Sequence, residues 1–261
     1  MDLYLVSDLH HYPEPQEHPG RLAFLDFLDG LRRLDAPGTL WILGDLFDFW
    51  FEYGTVVPAG HERLLVGLGD LSRAGWSLHL LPGNHDFCAG RRFSACTGGE
   101  IHRDRFLELD HGGRRIVLAH GDGLGRGDAG YRMVRPLLRS RAGRALFSLL
   151  HPDVGMRLAG AFSGTSRRIL RRDLDHVPAG LEEWAAGRLS AGADLVVTGH
   201  AHLGRIARLP GGMHVSLGDW LTRWSYCIVP EDSGVEPLLL SHRPGEGIPP
   251  VPRSLEGGGL S

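Results

Sequence analysis

Five short polar segments, each placed directly after a run of apolar residues, constrain the fold of this chain more than any other feature. The segments are D-x-H at 8–10, G-D-x-x-D at 44–48, G-N-H-D at 83–86, H-G-D at 120–122 and G-H-x-H at 199–202. The apolar runs cover 3–6, 40–43, 78–81, 116–118 and 195–197, and their composition is typical of buried strands. Because the carboxyl ends of strands form the ligand crevice of open α/β sheets, we expect all five segments to lie at one edge of a sheet.

The polar segments supply oxygen and imidazole donors, and none of them contains cysteine. Such a mixed shell suits Mn²⁺, Fe²⁺ or Zn²⁺ rather than a thiolate-bound metal. A carboxylate can serve two cations through its two oxygens and offset part of their repulsion, which a neutral imidazole cannot do. The segments therefore predict a site for two divalent metals.

The series and its order resemble the calcineurin-like metallophosphoesterases. For the first metal the resemblance implies the ligands Asp8, His10 and His202, and for the second metal it implies Asn84, His120 and His200. Asp45 is implied to bridge the two ions. The resemblance also implies an α/β fold, a four-layer α/β/β/α sandwich, and metal-dependent hydrolysis of a phosphoric ester or pyrophosphate. A binding scaffold that had lost catalysis would lack ligands, whereas this chain retains all of them.

Two cations in such a centre clamp the attacking and leaving oxygens of an in-line displacement at phosphorus and lower the pKa of the water they share, so that a bridging hydroxide attacks. The resemblance places His85 over the phosphoryl group, where it stabilises developing charge or protonates the leaving oxygen. The carboxylate of Asp48 resembles the group that orients this histidine in related phosphatases. Mn²⁺ is the expected metal, with Fe²⁺ and Zn²⁺ as alternatives.

Composition indicates which partners the protein can bind and in which cellular compartment it works. The formal net charge is −3, from 28 basic and 31 acidic residues, so no global basic field marks a nucleic-acid binder. Three cysteines without C-x-x-C spacing indicate a reducing compartment. The N-terminus has no basic segment followed by a long apolar stretch, which argues against secretion and against a membrane span. We therefore expect a cytoplasmic enzyme that binds no nucleic acid.

The ligand segments span most of the chain, which predicts one metallophosphoesterase domain over residues 1–242. Helices are expected over 21–34, with Leu22, Leu25, Leu28 and Leu31 near one face, and over 61–73. Asp86 is expected to cap a helix that begins near residue 87. After residue 202, short apolar runs between turn residues indicate antiparallel hairpins. A helical insertion, or lid, is expected at about 124–176, between H-G-D and G-H-x-H, and a flexible C-terminal tail at 243–261.

The predicted insertion is strongly basic. Between Leu124 and Asp175 the chain carries eleven arginines against four acidic residues, with apolar residues interleaved. A helical segment with basic and apolar faces can pair with anionic headgroups while its apolar side chains contact acyl chains. This pattern favours peripheral contact with the cytoplasmic face of the inner membrane. An ordinary helical cap whose leucines pack on the domain would show the same pattern and stays as the alternative.

A closer resemblance joins G-D-L-F-D-F-W at 44–50, G-N-H-D-F at 83–87 and G-D-A-G-Y-R at 127–132 to the UDP-2,3-diacylglucosamine pyrophosphatases of lipid A biosynthesis. These enzymes cleave the diphosphate of their lipid nucleotide to release UMP and 2,3-diacylglucosamine 1-phosphate. The resemblance implies substrate contacts by Asp128, Tyr131, Arg91, Ser163, Arg167 and Arg168. Many members carry arginine in place of His85 and threonine in place of Ala201. A generic calcineurin-like phosphatase or nucleotide pyrophosphatase with a soluble substrate is therefore the second interpretation.

Overall fold

The chain forms two β-sheets flanked by α-helices. A computed structural model describes residues 1–12, 18–53, 56–125, 139–155, 157–158 and 177–252. The helices are α1 (Pro19–Arg32), α2 (Glu62–Arg73), α3 (Arg91–Thr97), α4 (Arg141–Ser148) and α5 (Ala179–Ser190). The strands are β1 (Leu3–Val6), β2 (Thr39–Ile42), β3 (Ser77–Leu80), β4 (Glu100–Ile101), β5 (Leu107–His111), β6 (Arg114–Ala119), β7 (Leu195–Thr198), β8 (Leu203–Leu209), β9 (Gly212–Gly218), β10 (Ser225–Val229) and β11 (Leu238–Ser241).

Parallel strands form the centre of both sheets. The first sheet has the order β11-β10-β1-β2-β3-β4, in which β1 to β4 run parallel, while β10 and β11 add antiparallel pairs. The second sheet has the order β5-β6-β7-β9-β8, with β6, β7 and β9 parallel. The five polar segments follow β1, β2, β3, β6 and β7. Their side chains therefore collect where these strands end.

Both faces of the central strands of each sheet are covered, which explains why strands such as β1, β7 and β10 are almost continuously apolar. In β1, Val6 packs into a core shared with α1 and α2, whereas Leu5 packs into the core between the two sheets. On the outer face of the second sheet, Leu189 of α5 packs with Val117 and Val196. The layers run helix, sheet, sheet, helix, which confirms the predicted α/β/β/α sandwich.

The first predicted helix is present with shifted ends and a different buried face. Helix α1 spans Pro19–Arg32 rather than 21–34, because proline is well suited to the first turn of a helix. Leu22 is 45% exposed, so its prediction as part of the packed face was wrong. Aromatic side chains bury more area than leucine and determine which face turns inward. The buried apolar residues of α1 are Ala23, Phe24, Phe27, Leu28 and Leu31.

The chain after β11 lies against α1. Ile248 is buried in the core that α1 and α2 share, and the N–H of Gly245 donates to Asp26. These residues belong to the first part of the predicted tail, and 253–261 lie outside the described residues. Of the predicted insertion, 126–138, 156 and 159–176 also lie outside them. In the described part of the chain, no helix has the length and apolar character needed to cross a membrane.

Candidate metal centre

Backbone hydrogen bonds hold the loops after β1 and β2 side by side. The N–H of Asp8 donates to the Gly44 carbonyl at 3.1 Å, and the N–H of His10 donates to the Asp45 carbonyl at 2.9 Å. The pairing of the two strands thus continues into the loops. Main-chain hydrogen bonds alone therefore hold these two polar segments next to each other.

Backbone strain is concentrated in the predicted ligands. Six of the described residues other than glycine have a positive φ, and one of these is Trp224. The other five, with φ between 46° and 68°, are Asp8, His10, Asp45, His200 and His202. Such conformations cost about 1 to 3 kcal/mol each and cluster at functional sites, where the surrounding structure holds them. The strained backbone of these loops lowers the stability of the fold, and it sets the direction of the five predicted ligand side chains.

The glycines that precede Asp45 and Asn84 leave no room for a side chain. A Cβ atom at Gly83 would lie 2.2 Å from Asp45 Oδ1. One at Gly44, whose φ is 81°, would lie 2.5 Å from His120 Nδ1. The close approach of these loops explains why G-D-x-x-D and G-N-H-D both begin with glycine.

One buried cluster combines Asp8, His10 and His202. Asp8 Oδ1 lies 3.2 Å from His202 Nε2 and 3.8 Å from His10 Nε2, and the two Nε2 atoms are 3.3 Å apart. Bonds of roughly 2.0–2.2 Å to a tetrahedral ion place its donor atoms about 3.4 Å from one another. The cluster therefore has the spacing of donors around a single cation.

A second cluster combines Asp45, His120 and His200, whose ligand atoms lie within 4.8 Å of one another. Asp45 Oδ2 lies 3.4 Å from His120 Nε2, and Asn84 Oδ1 lies 3.2 Å from the same nitrogen. The fold thus brings together both sets of residues that the sequence predicts as ligands.

Asp45 faces both clusters through one oxygen. Its Oδ2 lies 3.4 Å from His120 Nε2 of one cluster and 3.9 Å from His10 Nε2 of the other. Its Oδ1 accepts the backbone N–H of His85 at 2.9 Å. Asp8 has the same division, because its Oδ2 accepts the N–H of His200 while Oδ1 faces the histidines. From the sequence we expected both carboxylate oxygens of Asp45 to bind cations. Instead, Oδ1 of Asp45 holds the backbone of the G-N-H-D loop, and Oδ2 lies between the two clusters.

Groups behind the histidines determine which ring nitrogen faces the centre. His120 Nδ1 donates to the Leu43 carbonyl at 2.8 Å, which leaves Nε2 to accept a cation. His202 Nδ1 lies 3.4 Å from Asp219 Oδ2, while its Nε2 faces Asp8. A carbonyl or carboxylate behind a ligand histidine sets both its tautomer and its orientation.

Asp48 acts on His85 through its main chain rather than through its carboxylate. His85 Nδ1 donates to the Asp48 backbone carbonyl at 2.6 Å. The Asp48 carboxylate instead lies behind His10, with Oδ1 3.8 Å from His10 Nδ1. Because a carbonyl can only accept, His85 Nδ1 carries a proton, and its Nε2 lies on the side of the centre, 3.8 Å from Asp45 Oδ2.

Burial and charge act in opposite directions on the pKa values of the clustered groups. Burial would raise the pKa values of Asp8 and Asp45, but His202 and His120 hold them below their usual range. Burial would lower the pKa of His202, but Asp8 raises it to about 10, and Asp45 likewise raises the pKa of His120 to about 10. Protons on two histidines therefore balance two buried carboxylates when no cation does so.

This donor set fits divalent cations. Asp8 Oδ1 and His10 Nδ1 are buried without a hydrogen bond of good geometry to any described residue. Cations would displace the protons of His120 and His202 and satisfy the Asp8 oxygen. Imidazole nitrogens mixed with carboxylate and amide oxygens are typical of sites for Mn²⁺, Fe²⁺ or Zn²⁺. The two clusters form a divalent metal centre.

Asp86 ties two of the loops together. Its carboxylate is buried and accepts the N–H groups of Leu46 and Gly83 at 2.8 and 2.7 Å. Burial and the charge of Asp45 raise the pKa of this carboxyl to about 6. The expected cap of a helix near residue 87 was wrong, because α3 begins at Arg91.

Arg139, an arginine of the insertion, contacts the G-N-H-D loop. It donates to the Gly83 carbonyl at 2.7 Å, pairs with Asp122 Oδ2 at 3.2 Å and lies 5.4 Å from the centre of the Phe87 ring. In the sequence this arginine contributes to the charge surplus and carries no motif of its own. Its contacts place this arginine next to the G-N-H-D and H-G-D segments of the metal centre.

The structure describes one of the predicted substrate-contacting residues. Arg91 is exposed in the first turn of α3. The others lie outside the described residues: Asp128, Tyr131, Ser163, Arg167 and Arg168.

We expect Asp219→Asn to weaken metal binding about 10- to 100-fold, the usual effect of removing a carboxylate behind a ligand histidine. Asp219 Oδ1 accepts the N–H groups of Leu221, Thr222 and Arg223 at 3.1, 2.6 and 3.1 Å, while Oδ2 faces His202 Nδ1 and the Thr222 hydroxyl. An asparagine keeps an oxygen for the turn but presents an NH₂ group to His202 Nδ1. Competition with a chelator measures the affinity.

Asp232→Asn is the matched control, since Asp232 Oδ1 also accepts a turn N–H, from Gly234. This variant should bind metal like the wild type. If Asp219→Asn did so too, Asp219 would serve only the turn.

The sandwich and its donor set define a metal-dependent phosphoesterase. A relative from Porphyromonas gingivalis named UDP-2,3-diacylglucosamine hydrolase is 31% identical over 248 residues, which cover 87% of this chain and 93% of the relative. A relative of the same name from Ralstonia nicotianae is 33% identical over 229 residues, which cover 84% and 83%. The chain therefore belongs to the UDP-2,3-diacylglucosamine hydrolase family.

Among solved structures, a novel archaeal phosphodiesterase aligns with 92% of this chain and 100% of its own at 13% identity and a TM-score of 0.46. No family model matches the chain.

Proposed function

We propose that this chain hydrolyses the diphosphate of UDP-2,3-diacylglucosamine to UMP and 2,3-diacylglucosamine 1-phosphate. One observation carries the proposal: in a chain of this family, Asp45 Oδ2 lies between two Asp/His clusters, and His85 Nε2 lies 3.8 Å from it. Paired cation sites with an adjacent imidazole suit displacement at phosphorus by water.

Two Mn²⁺ ions are the proposed cofactors, because oxygen donors from Asp8, Asp45 and Asn84 accompany the imidazoles. Asp8, His10 and His202 would hold one ion, and Asn84, His120 and His200 the other, with Asp45 shared. When bound, the ions supply Lewis-acid polarisation of the phosphoryl oxygens and a water of lowered pKa. The hydrogen bonds behind the ligands fix their orientation in advance, which limits reorganisation during the reaction.

His85 is the proposed acid of the reaction. As the P–O bond to the leaving phosphate breaks, its oxygen takes the electron pair and needs a proton or a strong hydrogen bond. The Asp48 carbonyl holds Nδ1, so that Nε2 is the atom that can serve the leaving oxygen. The same imidazole can stabilise the charge that develops on the phosphoryl group.

Positive charge beside the centre supports an anionic substrate. Three arginines, Arg103, Arg139 and Arg144, and one carboxylate, Asp104, line a cavity of about 190 Å³ next to Phe87, so that positive charge prevails there. Guanidinium groups are well matched to phosphate oxygens in charge and in geometry. A diphosphate with two sugar substituents would present such oxygens to this cavity.

Exposed leucines on the insertion support a lipid substrate. In α4 and just after it, Leu146 and Leu149 are 70% and 81% exposed. Phe147 points the other way, with its ring centre 4.7 Å from that of Phe51, and anchors the helix to the domain. Arg141 is exposed on the same helix. We propose that this surface makes peripheral contact with the cytoplasmic face of the inner membrane, since apolar and basic side chains together suit an anionic lipid surface.

We expect Leu146→Ser with Leu149→Ser to weaken binding to vesicles that contain anionic lipids by about tenfold for each leucine. Burying one such side chain in the acyl region contributes about 1.5–3 kcal/mol. Co-sedimentation with the vesicles measures the affinity. Turnover of a water-soluble phosphoester should stay unchanged, because neither leucine contacts the metal ligands.

The matched control is Leu22→Ser with Val66→Ser, which changes exposed apolar residues on α1 and α2. This control should bind vesicles like the wild type. Equal binding by all three proteins would identify the insertion as an ordinary helical cap.

Incubation of the Mn²⁺-loaded protein with UDP-2,3-diacylglucosamine tests the proposed reaction. We expect UMP and the acylated sugar phosphate in equal amounts. No release of UMP, with turnover of simple phosphoesters intact, would reject the lipid nucleotide and retain the phosphoesterase chemistry. A parallel panel of soluble nucleotides would identify the second interpretation by a clear preference for one of them.

A further inference from the structure

A further group of metal-binding side chains lies outside the five polar segments, at the β4 edge of the first sheet. His79 on β3 and Glu100 on β4 are register partners, and His102 directly follows β4. His79 Nδ1 lies 3.0 Å from His102 Nε2 and 3.6 Å from Glu100 Oε2. One ligand atom from each of the three residues falls within 4.8 Å of the others.

Both imidazoles are held in place by the surrounding structure. The ring of His79 stacks on Trp41, with centres 4.3 Å apart and planes at 17°. The ring of His102 also packs on Trp41, with centres 5.0 Å apart, and its backbone N–H donates to the Leu80 carbonyl at 2.8 Å, which continues the pairing of β3 with β4. Two of the three donors are therefore preorganised, so a ligand ordering them would lose little entropy.

We propose that His79, Glu100 and His102 form a mononuclear zinc site separate from the divalent metal centre. Zn²⁺ binds imidazole nitrogen and carboxylate oxygen at roughly 2.0–2.2 Å in tetrahedral geometry, which places donors about 3.4 Å apart. The distances of 3.0 and 3.6 Å lie on either side of this value. The Glu100 side chain is 67% exposed, so water can reach the fourth position.

A hydrogen bond between the two imidazoles explains only part of this arrangement. His79 Nδ1 faces both His102 Nε2 and Glu100 Oε2, and a single N–H cannot donate well to both. A cation among the three atoms satisfies them together. Burial and the neighbouring His102 lower the pKa of His79, which favours the neutral imidazole that metals bind.

Zinc at this position would join β4 to β3. Strand β4 contains two residues, so its pairing is short, and a metal bound by both strands would hold this edge. Because a ligand that binds only the folded state stabilises it, added Zn²⁺ should raise the unfolding temperature through this site.

Equilibrium dialysis against Zn²⁺ in the micromolar range tests the site in the full chain. We expect Glu100→Gln and His102→Gln each to bind one equivalent fewer than the wild type. This difference does not depend on how many ions the other centre holds. Glu100→Gln changes an exposed side chain, so loss of the fold would not account for its result.

Glu108→Gln and His151→Gln are the matched controls, since both residues are exposed and lie outside the cluster. They should retain the wild-type zinc content and the zinc-dependent rise in unfolding temperature. Equal zinc content in the wild type, Glu100→Gln and His102→Gln would overturn the proposal.

Discussion

Replacing Asp45 with alanine is expected to abolish binding of the metal pair and to lower turnover by about 10³-fold or more. Asp45 Oδ2 is the atom that both clusters share, at 3.4 Å from His120 Nε2 and 3.9 Å from His10 Nε2. Without it, two cations would repel each other with no anion between them. Loss of several kcal/mol of charge stabilisation corresponds to this range, because each 1.36 kcal/mol is about tenfold. Elemental analysis and a steady-state assay measure the two effects.

Asp45→Asn is the closer substitution and serves as the partner variant. It keeps an oxygen for the N–H of His85 but lacks the negative charge. We expect it to remain folded and to bind less metal than the wild type. Two equivalents and near-normal turnover in Asp45→Ala would show that the bridging role belongs to another residue.

His85→Ala is expected to keep both metals and to lose turnover by about 10²- to 10⁴-fold, the usual contribution of a general acid. Its Nδ1 is held by the Asp48 carbonyl and its Nε2 is directed to the side of Asp45 Oδ2. We therefore expect the imidazole to act on the substrate and not on the ions. Metal content and turnover must be measured on the same preparation, because only the combination distinguishes His85 from a ligand.

His151→Ala is the control for the loss of an imidazole, since His151 is exposed and contacts Asp153 at the surface. It should behave like the wild type in both measurements. If His85→Ala instead emptied one of the metal positions, His85 would be a ligand and its proposed role would be wrong.

The strands and the residues they deliver could be read from the sequence. Leu5 and Val6 illustrate why, because a strand covered on both faces must be apolar at every position, and a polar segment directly after it must lie at the edge of the sheet. The order of the five segments then determines which side chains meet. The hairpins after residue 202 were predictable for a similar reason, since turn residues separate β8 from β9 and β10 from β11.

The atoms that each residue uses could not be read from the sequence. The G-D-x-x-D motif identifies Asp48 as a candidate site residue. It does not indicate that the carbonyl of Asp48 faces His85 while its carboxylate lies behind His10. Asp219 comes from a turn after β9 that has no metal motif, and tertiary packing alone places it behind His202. Such contacts depend on how distant loops approach one another.

The sequence also could not show which face of helix α1 is buried. Periodicity identifies the helix, but Leu22 and Phe24 compete for the inward position, and the larger aromatic side chain is the one that is buried. The outcome depends on the volume available between α1 and the sheet, which local pattern does not encode.

Elemental analysis of fully active protein tests the central claim most directly. The Glu100→Gln variant is the suitable material, because the proposed zinc site at the sheet edge then adds nothing to the total and Glu100 is an exposed side chain. Two equivalents of divalent metal per chain at full turnover are predicted. No more than one equivalent in fully active material would contradict a dinuclear centre organised by Asp45.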